Sequence, residues 1–358
     1  MKKLLLFSLI PLLLCSCGRD ASQLTVVTGI GVDGQPGSYQ VGAEVIRLSE
    51  SDQNSEGSQS VYLRGTGLTI TDSINNMVSM TGRSLYCNHA QVLMISRETA
   101  QKGLSPILEE ILRGTQYPIS LRLAVCRETA AQVLEAKPLI SDLHSVEMED
   151  MIREGAKQCI TPDVDTGSFY EQLTAPGIEG VLPFFILEER DEESVCSLNG
   201  TALFRGDRML AVLDDRDSSC LMWMQGKSGG TLVTEHAVFE VMQLNRSLQA
   251  DKQGGKLTLE LVLKASDSEE NKETLIEEAE KMLEKRCASL LQQLKVLECD
   301  AVGFGRRIHQ THPEQWTEIA EVWPGQFADY PISVEVNVKN LIWGRIWAEE
   351  TTEEGHDS

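Results

Sequence analysis

Leu24-Thr25-Val26-Val27-Thr28-Gly29-Ile30-Gly31-Val32-Asp33 runs into Gly34-Gln35-Pro36-Gly37-Ser38 and then Tyr39-Gln40-Val41. The spacing of Gly29, Gly31 and Gly34 matches the glycine pattern of dinucleotide sites, and it follows a Val- and Thr-rich run that reads as a strand. Such a site needs a helix to begin there, so that its N-terminus faces the pyrophosphate. Pro36 and Gly37 make a turn instead, and Tyr39 to Leu48 alternates again. The stretch therefore predicts a β-hairpin in place of a nucleotide-binding turn.

Working outward, Ser49 to Ser60 is polar and predicts a loop, and Val61 to Leu68 predicts a third strand. Thr71-Asp72 can cap a helix running to about Gly82. Ala90 to Ile95 reads as a strand, Thr99 to Leu112 as a helix stopping at Gly114, Ile119 to Val125 as a strand and Glu128 to Ala136 as a helix. Between Lys137 and Gly180 the pattern gives a helix near Val146 to Lys157 and a loop at Thr161-Pro162-Asp163. Val181 to Leu187 is a strand, and the run from Glu188 to Glu193 is a candidate linker or domain edge.

Beyond it, Val195 to Phe204 and Met209 to Leu213 should pair around Arg205-Gly206-Asp207-Arg208. Ser218 to Met224 reads as a helix, and strands are expected near Thr231 to Leu244 and Lys256 to Lys264. The longest helix spans about Glu270 to Leu297. Leu275, Ala279, Met282, Leu283, Cys287, Leu290, Leu294 and Leu297 form one apolar stripe on it, suited to packing on a sheet. Ile332 to Val338 alternates as a final strand. The whole predicts an α+β or α/β multi-domain protein with mixed sheets packed by helices. The expected units are 17–190, with subdomains 17–136 and 137–190, then 191–348 and an acidic tail at 349–358.

The first residues carry an address. Met1-Lys2-Lys3 is a basic head, and Leu4 to Leu14 is an uncharged apolar run of 11 residues. A membrane-spanning helix needs about 20, so residues 1–16 read as an export signal. Leu14-Cys15-Ser16-Cys17-Gly18 is a lipobox, with a branched apolar residue at −3, a small one at −1 and the acceptor thiol on Cys17. Leu14 before Cys15 is too large for that cut. Two acyl chains, at about 0.8 kcal/mol per buried CH₂, hold a protein to a bilayer firmly.

Composition narrows the partners. Hydrophobic residues make up 41 % of 358, enough for a real core. The net charge is −22, and loss of Lys2 and Lys3 with the signal makes it −24. Such a surface repels nucleic acid and stands off from anionic headgroups. Of nine cysteines, Cys15 leaves and Cys17 takes lipid. Cys87, Cys126, Cys159, Cys196, Cys220, Cys287 and Cys299 are odd in number, irregular in spacing and without a CxxC pair. They read as buried free thiols rather than disulfides or zinc ligands.

No catalytic, cofactor or metal motif completes itself. Gly226-Lys227-Ser228-Gly229-Gly230 matches GxSxG, but a nucleophile elbow needs a strand before the Ser and a helix after it, and here the order is reversed. His309, His312 and Glu314 lack an HExxH and a third ligand, and read as exposed loop residues. Arg205-Gly206-Asp207 reads as a turn. His89 reads as a satisfied core histidine.

The pieces in order resemble the Ger(x)C family, the lipoprotein C subunits of spore germinant receptors. The resemblance lies in Gly29-Ile30-Gly31-Val32-Asp33 with Tyr39-Gln40-Val41, in Tyr86-Cys87-Asn88-His89 running on to Ile95, in Leu182-Pro183 and in Gly200-Thr201-Ala202-Leu203-Phe204. It continues through Asp300-Ala301-Val302-Gly303-Phe304-Gly305, Trp316, Trp323, Phe327, Val334 and Gly344. Arg19-Asp20-Ala21-Ser22-Gln23 departs from the Trp-Asp-x-Arg-Glu segment common after the family's lipid cysteine.

That resemblance implies three α/β domains and a non-catalytic lipoprotein on the outer face of a spore's inner membrane. It also implies two integral-membrane partners, the A- and B-type receptor subunits. On the residues themselves, Gly303 and Gly305 allow a tight turn after the long helix, and Trp316, Trp323 and Phe327 cover that helix's end. The rival readings are a transporter's solute-binding lipoprotein, with two doubly wound lobes, and an envelope hydrolase, with a nucleophile or paired carboxylates in a cleft.

Overall fold

The structure, a computed structural model, describes residues 24–46, 60–190, 193–266 and 270–343. The expectations for residues 1–23, Gly344 and the acidic tail, Cys17 among them, lie outside the described residues, as does the expected Ser49 to Ser60 loop up to Gln59; Ser60 itself opens a strand.

The opening stretch is the hairpin. Strand β1 (Leu24–Gln35) pairs antiparallel with β2 (Ser38–Ile46), with Gln35 opposite Ser38 across Pro36 and Gly37. Gly34 and Gly37 take φ of +100° and +86°, which the turn demands and L side chains resist. β3 (Ser60–Gly67) joins β2 antiparallel. Helix α1 (Ile70–Thr81) starts earlier than expected. Its cap is Thr69, whose side chain accepts from the Asp72 N–H, and it stops at left-handed Gly82.

β4 (Ser84–Tyr86) and β5 (Val92–Ser96) both lie parallel to β1. The helix expected over Thr99 to Leu112 is two helices, α2 (Arg97–Lys102) and α3 (Ser105–Arg113). Gly103 at φ +122° turns the chain between them, and Pro106 fits the first turn of α3 but not a helix interior. β6 (Arg122–Cys126) follows, then α4 (Ala130–Glu135), whose start is a reciprocal capping box of Thr129 and Gln132.

Helix α5 (His144–Lys157) begins slightly before its expected start, and α6 (Thr166–Thr174) was not expected at all. Its signal was Asp165, which accepts from the Ser168 N–H. β7 (Val181–Arg190), β8 (Glu193–Arg205) and β9 (Arg208–Leu213) complete the first sheet. Among the described residues it has nine strands, in the order β3-β2-β1-β5-β6-β7-β8-β9 with β4 beside β1. β7 is buried on both faces: Leu182, Phe184 and Ile186 enter one core and Phe185 the other.

Arg190 pairs with Glu193, so the two ends of the acidic run belong to β7 and β8, while Asp191 and Glu192 lie outside the described residues. The expected unit boundary at 190/191 does not coincide with a sheet boundary. The first sheet continues to Leu213, and α7 (Asp215–Met224) carries the chain to the second.

That second sheet has the order β10-β11-β12-β13. The strand expected over Thr231 to Leu244 is a hairpin of β10 (Thr231–Val233) and β11 (Val238–Asp251), and β12 (Gly254–Ala265) pairs antiparallel with β11. β13 (Ile332–Trp343) lies parallel to β12, which requires a crossover. The crossover is α8 (Lys272–Val296), then α9 (Phe304–Thr311), α10 (Pro313–Ile319) and α11 (Trp323–Asp329).

The stripe of α8 is buried as expected through Leu275, Ala279, Leu283, Cys287, Leu290 and Leu294. Glu280 and Glu284 on the same helix accept from the Val338 and Val336 N–H groups at 2.7 and 3.2 Å. Carboxylates of α8 thus occupy backbone donors on an edge strand that would otherwise be open to pairing.

Candidate functional site

The glycine-rich stretch of β1 serves packing. A Cβ on Gly29 would stand 2.7 Å from the Ser145 Cβ, and one on Gly31 would stand 2.8 Å from Leu134. Helices α4 and α5 therefore lie directly on the strand, where a nucleotide would have to pass. Two buried carboxylates of the hairpin lock them there. Asp33 accepts from the Ala130 and Ala131 N–H groups at 2.9 and 3.2 Å, at the start of α4. Glu44 accepts from the His144 and Ser145 N–H groups at 2.8 and 2.9 Å, from Thr28 Oγ1 at 3.0 Å and from the Ser145 hydroxyl. Each carboxylate fills orphan donors at a helix start, where the dipole also favours negative charge.

The other motif residues divide. Ser228 Oγ accepts from the Leu244 N–H at 2.9 Å, a loop-to-strand tie. Gly206 turns β8 into β9 at φ +54°, and Asp207 Oδ2 accepts from the Ser105 N–H at 3.0 Å, so that turn caps α3. His309 and His312 are exposed, with the His309 ring beside Trp316. Among the described residues no group of three or more His, Cys, Asp or Glu is arranged to hold a metal. His89 corrects the expectation of a core residue: it is exposed in a turn, its ring near Tyr86. The apolar strand begins only at Val92, so His89 precedes the buried segment. Among the described residues the buried histidine is His144, 2 % exposed.

The Asp300 to Phe327 segment is built around one carboxylate. Asp300 Oδ1 accepts from the Gly303 and Phe304 N–H groups at 2.7 and 3.1 Å; Oδ2 accepts from the Gly305 N–H at 2.7 Å and from Trp323 Nε1 at 3.2 Å. Complete burial pushes this carboxyl up, and the four donors pull it down. Gly303 has φ +91°, and a Cβ on Gly305 would meet Trp323 Nε1 at 2.4 Å. Trp316, Trp323, Phe327 and Phe304 are buried together, Trp323 crossing Trp316 edge-on at 5.9 Å between centroids.

Beside this turn lies a cleft of about 890 Å³ between α5, the loops flanking α6, the middle of β11 and α9. The 177–180 loop closes it against the turn: Glu179 N–H donates to Asp300 O at 3.1 Å, and Arg306 N–H to Gly177 O. Its charged lining includes Lys227, Arg246, Arg306 and Arg307. Arg246 Nη2 donates to Val302 O at 2.7 Å.

Neither cleft nor carboxylate anchors were anticipated. Arg306-Arg307, a basic doublet in a chain of excess acid, was the visible sign. Arg246 and Glu44 gave none, because strand register brings them in from distant sequence.

Two family models match the chain back to back: a spore germination protein N-terminal domain over residues 18–187, and a spore germination B3/GerAC-like C-terminal domain over residues 199–340. The chain is 22 % identical to spore germination protein KC of Bacillus subtilis (strain 168), covering 93 % of this chain and 92 % of that protein. It is 20 % identical to YfkR of the same organism, whose name marks it as a candidate spore germination protein, over 93 % and 95 %. The solved GerBC protein shares the fold, with TM-score 0.58 and 15 % identity, over 87 % of this chain and 96 % of that one.

Proposed function

The chain belongs to the Ger(x)C family of spore germination proteins, and from that membership we propose that it is a non-catalytic, lipid-anchored subunit of a spore germinant receptor. The observation that carries the reading is the pair of family matches, end to end across both sheets. The lipid sits on Cys17, at the lipobox, and the N-terminal match begins at residue 18. Among the described residues no helix is long and apolar enough to cross a membrane, which agrees with attachment through lipid. The protein then stands on the outer face of the spore's inner membrane, beside integral-membrane subunits of A and B type.

A solute-binding lipoprotein would need two doubly wound lobes. Among the described residues of the second sheet only β12 and β13 run parallel, and the other pairs are antiparallel. The direct test is affinity purification of the tethered protein from spore membranes. Recovery of both integral-membrane receptor subunits is expected. Recovery of a transporter's permease in their place would transfer the chain to the solute-binding reading.

A further inference from the structure

The cleft beside the Asp300 turn concentrates positive charge in a chain whose net charge is −22. Six cationic side chains line it: Arg153, Lys157, Lys227, Arg246, Arg306 and Arg307. Two are already paired, Arg153 with Glu149 at 2.6 Å and Lys157 with Glu154 at 2.5 Å. For Lys227, Arg246, Arg306 and Arg307, no carboxylate among the described residues comes within ion-pairing distance.

The two acids of the lining do not neutralise these four. Asp163 is held by Arg122 Nε at 2.7 Å. Glu179 accepts from the Gly206 N–H at 2.8 Å, and burial pushes its carboxyl up towards the neutral form. Arg246 is the most exacting member. Its Nη2 has the Val302 carbonyl, but its Nε is buried without a partner. Burial pushes its guanidinium below the usual range; Asp300 opposes that, and Arg307 adds to it. A half-buried, half-satisfied guanidinium facing like charge is costly unless something negative completes it.

We infer that this cleft is a binding site for a small anion carrying phosphate or carboxylate groups, gripped by Arg246, Arg306 and Arg307 with Lys227 at the rim. The planar fork of arginine matches those groups two bonds at a time. The volume is on the scale of small-molecule pockets. The inference stands apart from the receptor assignment, since it uses only the cleft's own charges. Both a free organic or inorganic anion and the headgroup of an anionic lipid carry this chemistry.

The test uses the full mature chain in a neutral detergent at constant ionic strength, with chloride as background. Inorganic phosphate and citrate are titrated by calorimetry. In parallel, without detergent, sedimentation of the mature chain carrying Cys17→Ala compares phosphatidylglycerol with phosphatidylcholine vesicles, so that no lipid of its own tethers it. Saturable binding of phosphate or citrate identifies a free ligand; a preference for phosphatidylglycerol alone identifies a headgroup. In either case Arg307→Ser should weaken it on the order of tenfold, as loss of a charged hydrogen bond does. Arg246→Met should abolish it; should that variant fail to fold, Arg306→Ser joined to Arg307→Ser is the second test, which should keep the wild-type melting temperature and lose the binding. Absence of binding to all three probes, or binding that the double variant retains unchanged, overturns the inference.

Discussion

Trp323 donates its indole N–H to Asp300 Oδ2 at 3.2 Å, so the last helix of the crossover is fastened to the turn that follows α8. The same carboxylate receives three backbone N–H groups, and the Trp ring is 4 % exposed. Trp323→Ala should cost about 3–5 kcal/mol, a large share of a typical domain's stability. Trp323→Phe keeps most of the ring and loses the donor, and should cost about 1–2 kcal/mol. Urea unfolding must be done on the intact chain, because β8 pairs with β7 and β9 with β8, and both would be stranded in a fragment starting at residue 191. An unchanged midpoint for Trp323→Ala would reassign the aromatic cluster to a partner surface.

Glu44 makes a parallel case in the first sheet. It is 3 % exposed and joins β2 to the start of α5. Glu44→Gln turns an all-acceptor group into one with an N–H₂ facing other donors. The expected loss is about 2–4 kcal/mol, from a charged hydrogen bond lost and donors left unsatisfied. Hydrogen exchange should show α5 loosening before the second sheet does. Uniform protection across α5 in the variant would refute the anchoring role.

These two carboxylates mark where the sequence was readable and where it was not. Local signals were strong: the Pro36-Gly37 turn, the Gly82 stop and the spacing of Leu275, Leu283, Leu290 and Leu294 needed only neighbours in sequence. The break at Gly103 was present too, but the apolar period on both sides of it masked it. Glu44 and Arg246 carry no local mark. Their roles come from strand pairing with partners far along the chain, and polar residues on alternating strands look alike whichever way they point. His89 misled for a local reason, since its apolar neighbours belong to the strand after it.

Cys17 is the premise of the proposed membrane attachment. Cys17→Ala should leave the chain in the soluble fraction and weaken germination, because Leu4 to Leu14, at 11 residues, is shorter than the about 20 that a spanning helix needs. Mass spectrometry of the mature N-terminus reads the modification directly. An unmodified Cys17 there would refute the assignment.

The seven cysteines among the described residues are all buried and free. Cys220 Sγ lies 3.6 Å from Cys287 Sγ, joining α7 to α8 as thiols rather than as a disulfide. Burial pushes Cys87 up to about 12 and Cys159 up to about 11, so little thiolate exists near neutral pH. A colorimetric disulfide reagent should label these thiols slowly in the native chain and all of them after denaturation. Rapid native labelling of Cys87 or Cys159 would mean that the surrounding elements open readily.

His144 sets a pH dependence whose sign follows from its position. Its side chain is 2 % exposed, and burial pushes its pKa down, against the weaker pull of the Leu134 carbonyl, Glu44 and Glu147. The unfolded chain, with a histidine near about 6.5, therefore takes up the proton before the folded one does. The contribution to stability is complete above that value. It declines as pH falls from there towards the folded-state value, and below the latter no more is lost. His144→Leu keeps the backbone N–H that Glu44 accepts and removes the titrating ring. Melting temperatures of wild type and variant should diverge between about pH 7 and pH 5, with the wild type falling more steeply. The other histidines are common to both proteins and cancel in the difference. Parallel curves would show that the His144 ring charges in place, and that the α5 start admits water which its burial does not suggest.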